Sequence, residues 1–463
     1  ILAVSHPPLQ DYPDHLMRAK IIADYDNPEL NYDKYYEVDF NVIPNIMFDL
    51  VAFGFMLFLP PLIAGKLVLL VYVVLFVLSF SYFLASFGKS RWLSLFGFFF
   101  VYNNAFNRGN LSFLFGVCFY LLALGYFFRH KDKFELKHYI VLGLIILLTY
   151  FSHLFVFGLL LMSLGLVFLL EIKQDWKTFA FRVLTFVPSM LLLVFYQLNV
   201  ARASGEFKVM SVLTSFFSKI NAVDVPLVSF APLFERILLL IPMSIFFYLV
   251  IRKFLDRFGG SKEKILLGIL FSVFVVSWVS GNFWFLVVTL IRFFGFVLSF
   301  DELKSVLKYK LLLVVLLLVA LYLVIPTKVS ILIAPHLRVL FIIILLLFAF
   351  ANVPRKSKFF SIGVSVMVIL FSVQISYFTL TYNSLQPNLS SVMDAFEKIP
   401  SGQIIVSKSQ FYKGHVCYVC NLYGYYHIFK GGVSPKIFMS EFQPLSYKEQ
   451  YMPDNQEYEY YDY

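Results

Sequence analysis

Apolar and polar positions in this chain alternate in long blocks rather than residue by residue. Twelve apolar segments, at 62–87, 92–106, 110–128, 138–152, 154–170, 183–200, 234–251, 265–281, 283–300, 311–326, 339–352 and 361–380, are separated by short polar or basic connectors. Runs of about 15 to 25 apolar residues match helices that cross a bilayer, and the strands of a barrel, alternating in and out, are absent. Backbone in hydrocarbon must satisfy its own hydrogen bonds, which a helix does within one segment. The pattern predicts an all-α polytopic membrane protein with about 12 to 13 transmembrane helices. Ahead of the regular spans, 45–59 is apolar but short and ends at Pro60-Pro61, which predicts an interfacial or half-inserted helix.

Composition removes the soluble alternative. Of 463 residues, 60% are hydrophobic, 19% aromatic and only 14% charged, and the mean hydropathy is +0.79. Soluble domains carry roughly 25% charged residues, and no soluble core hides this much Phe, Leu, Ile and Val.

Charge then sets orientation, because short cytoplasmic loops retain Lys and Arg. The basic connectors lie at 89–91, 129–137, 173–182, 252–264, 304–310 and 355–358, and the segments between them cross in pairs. The opposite, exoplasmic side then receives the loop 5–44, the connector 107–110, the apex at 153, the loop 201–233, the connector 327–338 and the tail from 381. Loop 5–44 is acidic, with eight Asp and Glu against three Lys and Arg. Three units follow: an exoplasmic first loop with juxtamembrane helices (1–61), a transmembrane helical domain (62–380) and a small exoplasmic α+β C-terminal domain (381–463) whose strand-leaning runs lie at 403–406 and 415–418. The net charge of +10 reads as loop charge facing anionic lipid, not as a nucleic-acid footprint. Low Pro and Gly content with Lys-dominated, Phe-rich usage fits a bacterial inner membrane. The apolar stub 1–4 predicts a hydrophobic helix upstream.

Of three cysteines, Cys118 is in an apolar segment, while Cys417 and Cys420 form a Cys-Tyr-Val-Cys pair in the tail. A local disulfide in an oxidising compartment suits that pair better than zinc, since no His stands at ligand spacing beside it.

Polar groups at a membrane domain are costly, so their clustering carries information. On the exoplasmic side they include Asp11, Asp14, His15 and Arg18 in the first loop, Asn103, Asn104, Asn107, Arg108 and Asn110 in the next connector, His153 at a hairpin apex, and His336 and Arg338 further on. Together they predict one site assembled from several loops. Pro13 suits the first turn of a helix capped by Tyr12 or Asp11 and puts Asp14 in that turn, with Arg18 one turn on. A carboxylate near a helix N-terminus at the mouth of a membrane cavity stays ionised and can act as general base; the structural alternative is a cap with an Asp14–Arg18 pair. Arg108 and Arg338 suit a phosphate bidentately, with His153 and His336 as helpers, against snorkelling arginines and an interhelical histidine. The asparagines suit sugar hydroxyls, against helix capping. Arg292 falls inside a span with no assigned partner.

The acidic motif in the first polar loop, a dozen spans and an exoplasmic C-terminal domain together resemble the GT-C superfamily of integral membrane glycosyltransferases. The resemblance implies a polyprenyl-phosphate-linked sugar as donor, membrane lipids around a groove, and a glycan, lipid or protein acceptor. It also implies a first-loop Asp as catalytic base: Asp14, with Asp11 in reserve. His15 stands where the family's second acid would be, so no metal ligand is assigned and a divalent cation stays open. Two other classes remain: a transporter or flippase for a lipid or polyanion, and a non-catalytic subunit of a membrane assembly.

Overall fold

The computed structural model describes residues 2–38, 43–172, 176–200, 219, 222–255, 260–283, 286, 289, 310–326, 328–329, 332–351, 358–405, 411–434 and 445–448. Helices dominate. The first polar segment holds α1 (Tyr12–Ala23), α2 (Tyr32–Tyr35) and strand β1 (Tyr36–Val38). There follow α3 (Met47–Met56), α4 (Pro61–Ser86), α5 (Leu95–Val101), α6 (Asn104–Asn107), α7 (Leu111–His130), α8 (Leu136–Ser152), α9 (Leu154–Leu169), α10 (Trp176–Leu184) and α11 (Val187–Val200). Then come α12 (Pro232–Leu255), α13 (Gly260–Ser280), α14 (Lys310–Val324), the strands β2 (Lys328–Val329) and β3 (Leu332–Ile333), α15 (Pro335–Leu347) and α16 (Lys358–Lys398). The tail adds β4 (Tyr412–Lys413), β5 (Val416–Cys417), α17 (Tyr423–Lys430) and β6 (Leu445–Tyr447).

Among the described residues, four helices are long and apolar enough to cross a membrane: Pro61–Ser86, Leu111–His130, Pro232–Leu249 and Gly363–Lys398. The pair Trp176–Leu184 and Val187–Leu198, bent by 49°, makes a fifth if it is one span. Shorter apolar helices, among them Leu136–Ser152, Leu154–Leu169 and Lys310–Val324, lie between these. The ten residues of α3 rise about 15 Å, half a hydrocarbon thickness.

Two expected segments take another form. Residues 92–106 do not make one helix, because Asn103 breaks the run. Its side-chain oxygen accepts from the Phe106 amide at 2.9 Å and its amide donates to the Phe100 carbonyl at 2.7 Å, so it ends α5 and caps α6. The last segment, expected to stop at 380, instead continues as one helix to Lys398, with Pro387 inside it. The expected boundary at 381 therefore falls within α16. Segment 283–300 lies almost wholly outside the described residues, and Arg292 with it.

The core is aromatic. α4 packs along α7, and Gly125 makes room: a Cβ there would meet the Phe83 Cα at 3.0 Å. Phe76 stacks on Phe341 with centroids 6.3 Å apart, and Phe348 meets Phe80 edge-on at 5.5 Å. In lipid such contacts stabilise through close packing, since the tails are as apolar as the side chains.

Polar groups gather at the two ends. At one, Glu171 after α9 takes ion pairs from Arg182 in α10 and Lys310 at the start of α14, and Arg182 also donates to the Lys131 carbonyl at 3.2 Å. Three basic connectors thus meet around one acid. The other end of α7, about 30 Å away along twenty residues, begins at Asn110. There the first loop, the 103–110 connector, residue 153, loop 222–231, Arg338 and the tail come together. β1 of the first loop pairs antiparallel with β6 of the tail, Tyr36 opposite Tyr447, so these two parts of the sequence form one unit. Cys417 and Cys420 are disulfide-bonded, and Cys118 is buried and free.

Candidate functional site

The start of α1 is held from two sides. On one, the Gln10 amide donates to the Asn107 carbonyl at 3.1 Å and the Asp11 amide to the Arg108 carbonyl at 3.2 Å. Gly109 permits that approach, with φ at +77°, and a Cβ on it would lie 2.7 Å from the Asp11 nitrogen. On the other side stands the tail. Gly424 of α17 lies so close to α1 that a Cβ would sit 2.7 Å from the Pro13 carbonyl oxygen. Asn421 donates to Asp11 Oδ1 at 3.0 Å, and Tyr423 donates to Asp14 Oδ2 at 3.0 Å. The Cys417 amide, inside the disulfide loop, donates to Gln10 Oε1 at 3.2 Å.

Pro13 does open α1, with Asp14 in the first turn, but Asp11 makes no side-chain capping bond. Its carboxyl turns to the tail instead. Asp14 is 1% exposed, and its Oδ1 has no partner among the described residues. Burial pushes this carboxyl well above the usual carboxylate range, and the charge of Asp11 pushes the same way against the Tyr423 hydrogen bond and Arg18. The base expected at position 14 is therefore a buried carboxyl whose charged form the fold disfavours. Asp11 differs. It is partly exposed, and burial raises it only to about 6, opposed by Arg108, Gln10, Arg338 and Asn421 in that order.

Arg18 does not pair with Asp14 as the spacing suggested. It makes a bidentate bond to Asp49 of α3, Nε to Oδ1 at 2.9 Å and a terminal nitrogen to Oδ2 at 2.6 Å, with both side chains buried. Arg18 also contacts His15 Nδ1 at 3.2 Å, and burial with this guanidinium holds His15 well below its usual value. This trio locks α1 onto α3.

The asparagines are largely consumed by the fold. Asn104 donates to the Val228 carbonyl at 2.9 Å. Asn107, fully buried, donates to the Asn103 carbonyl at 3.1 Å and to Ser229 Oγ at 2.9 Å, and accepts from the Tyr382 hydroxyl at 2.5 Å. Asn104 ties connector 103–110 to loop 222–231, and Asn107 ties it to that loop and to α16, leaving little capacity for sugar hydroxyls.

The arginines remain chemically available. Arg108 is half-buried and makes no side-chain hydrogen bond or ion pair among the described residues, while its charge acts on Asp11, Arg338 and His415. Arg338 meets His153 Nε2 at 2.7 Å, lies over the Phe113 ring at 5.3 Å and reaches Asn110 Oδ1 at 3.5 Å. His153 thus orients Arg338. His336 lies near Tyr322, and its Nδ1 has no partner among the described residues. The charge nearest to it belongs to Lys219, which donates to the Leu323 and Ile325 carbonyls at the end of α14. Among the described residues, no group of three or more His, Cys, Asp or Glu is placed to hold a metal ion.

Of the residues singled out in the sequence, the structure gathers Asp11, Asp14, Arg108, His153 and Arg338 at one end, and it adds Asn421, Tyr423 and Asp49, which sequence reasoning missed. Tyr423 stands 409 positions from Asp14, and no local signal pairs them. No protein-family model, curated protein or solved structure matches this chain.

Proposed function

We propose that the chain is an integral membrane glycosyltransferase that moves a sugar from a polyprenyl-phosphate carrier to an acceptor. In this reading the short apolar helices complete about a dozen crossings, the site faces the exoplasm, and the membrane is a bacterial inner membrane. The meeting of three basic connectors at the Glu171 end supports that sidedness. One observation carries the proposal: the partly exposed Asp11 carboxyl, its backbone bonded to that of Arg108, feels the charges of Arg108 and Arg338, and Arg108 makes no side-chain hydrogen bond or ion pair among the described residues.

Asp11, rather than Asp14, takes the proton of an acceptor hydroxyl or amine. The freed electron pair attacks the anomeric carbon, and the bond from that carbon to the phosphate oxygen breaks. The polyprenyl phosphate leaves with the bonding pair, its charge held by Arg108 and Arg338. The proton ends on Asp11. Asp14, buried and bonded to Tyr423, holds the first turn of α1 in place. The lipid tail lies against the aromatic helices.

The test uses the purified full chain in nanodiscs with radiolabelled polyprenyl-phosphate sugars. Asp11→Asn abolishes turnover yet still binds polyprenyl phosphate, whereas Arg108→Ala weakens that binding about tenfold or more. Wild-type turnover by Asp11→Asn, or no polyprenyl-phosphate binding by the unmodified protein, would overturn the proposal. Stoichiometric co-purification of other chains, together with no turnover, would indicate the subunit reading.

A further inference from the structure

A second polar cluster sits where the first loop meets the beginning of α4, and the transfer chemistry does not use it. The Tyr12 and Tyr425 hydroxyls are buried without partners among the described residues, as is His6 Nδ1. Tyr12 points its hydroxyl at the backbone of α4, so closely that a Cβ on Gly65 would lie 2.2 Å from it. The two phenols act on each other electrostatically, and His6 packs edge-on against Tyr425 with centroids 4.9 Å apart. Lys66, the residue after Gly65, is half-buried, acts on His6, and has no ion-pair or hydrogen-bond partner among the described residues.

A buried polar atom left without a hydrogen bond is destabilising, so three such atoms close to one lysine are a costly arrangement unless something fills it. The chemistry specifies the occupant. Two phenol donors, an imidazole and an ammonium that makes no ion pair among the described residues suit an anion with several acceptor oxygens. Tyr12 and Tyr425 form the floor of the cluster, and Lys66 and His6 its more accessible side. Beside it, the turn between α3 and α4 exposes Leu57 by 58%, Phe58 by 84% and Ile63 by 50%, a surface suited to acyl chains.

We infer that Lys66, His6, Tyr12 and Tyr425 form a phosphate-binding site at the head of α4, separate from Asp11 and its arginines. The phosphate belongs either to a membrane lipid headgroup or to free phosphate.

The experiment is carried out on the full chain with Arg108→Ala, in neutral detergent, so that the arginine site contributes little. Binding of dihexanoyl phosphatidate and of inorganic phosphate is measured by calorimetry. Lys66→Ala should weaken binding about tenfold, and Tyr425→Phe, which removes one hydroxyl and keeps the ring, about threefold. Tighter binding of phosphatidate than of phosphate identifies a headgroup; equal binding identifies the free ion. Both outcomes support the site. If neither probe binds, or if Lys66→Ala and the conservative Tyr425→Phe bind like the parent, the inference is overturned.

Discussion

Replacing Asp11 by Asn should make the protein more stable while removing its activity. The Asp11 carboxyl is raised from 3.8 to about 6 in the fold because its burial outweighs the attraction of Arg108 and Arg338. Between those two values the folded state binds more protons than the unfolded one, so stability falls as pH rises through the window and levels off above it. A rise of about 2 in pKa corresponds to about 3 kcal/mol of penalty at pH 7.5, fully present above pH 6 and absent below pH 4. Asn carries no charge to desolvate, and its side-chain oxygen still accepts from Asn421 Nδ2. The variant should therefore gain up to about 3 kcal/mol at pH 7.5 and nothing at pH 4, measured by denaturant unfolding in mixed micelles across that range. Such a gain, paired with lost turnover, marks a group kept for function at the expense of stability. The reasoning is refuted if Asn is less stable than Asp at pH 7.5, because attraction to the arginines would then exceed desolvation. A gain of equal size at every pH would refute it too.

Other outcomes follow from single contacts. Asp49→Ala leaves the buried Arg18 guanidinium without its bidentate partner and should cost about 3 to 5 kcal/mol in unfolding experiments, while the double change Arg18→Met with Asp49→Leu recovers most of it. Tyr423→Phe removes the hydrogen bond to Asp14 Oδ2 and should cost about 1 to 3 kcal/mol, with circular dichroism showing helix content unchanged. Gly109→Ala introduces a Cβ against the Asp11 amide at a positive φ, so turnover should fall at least about tenfold; Gly54→Ala, with nothing within 4 Å, should match the parent.

The sequence alone determined the broad class and much of the gathering. Apolar blocks of spanning length leave helix as the form of backbone that satisfies itself in hydrocarbon, and that holds whatever the neighbours do. The spacing of Lys and Arg sorted the connectors into two sets. Lys131, Arg182 and Lys310 meet at one end, while Asp11, Arg108, His153 and Arg338 meet at the other. Local rules also placed Pro13 at the head of α1 and made Asn103 a capping candidate. Which carboxyl stays charged was decided only in three dimensions, because ionisation depends on desolvation and on neighbours hundreds of positions away. Tyr423 and Gly424 seal Asp14, Asp49 claims Arg18, and Asp11 is left beside the arginines. Periodicity records which face of a helix is apolar; it holds no record of what a distant segment lays against that face.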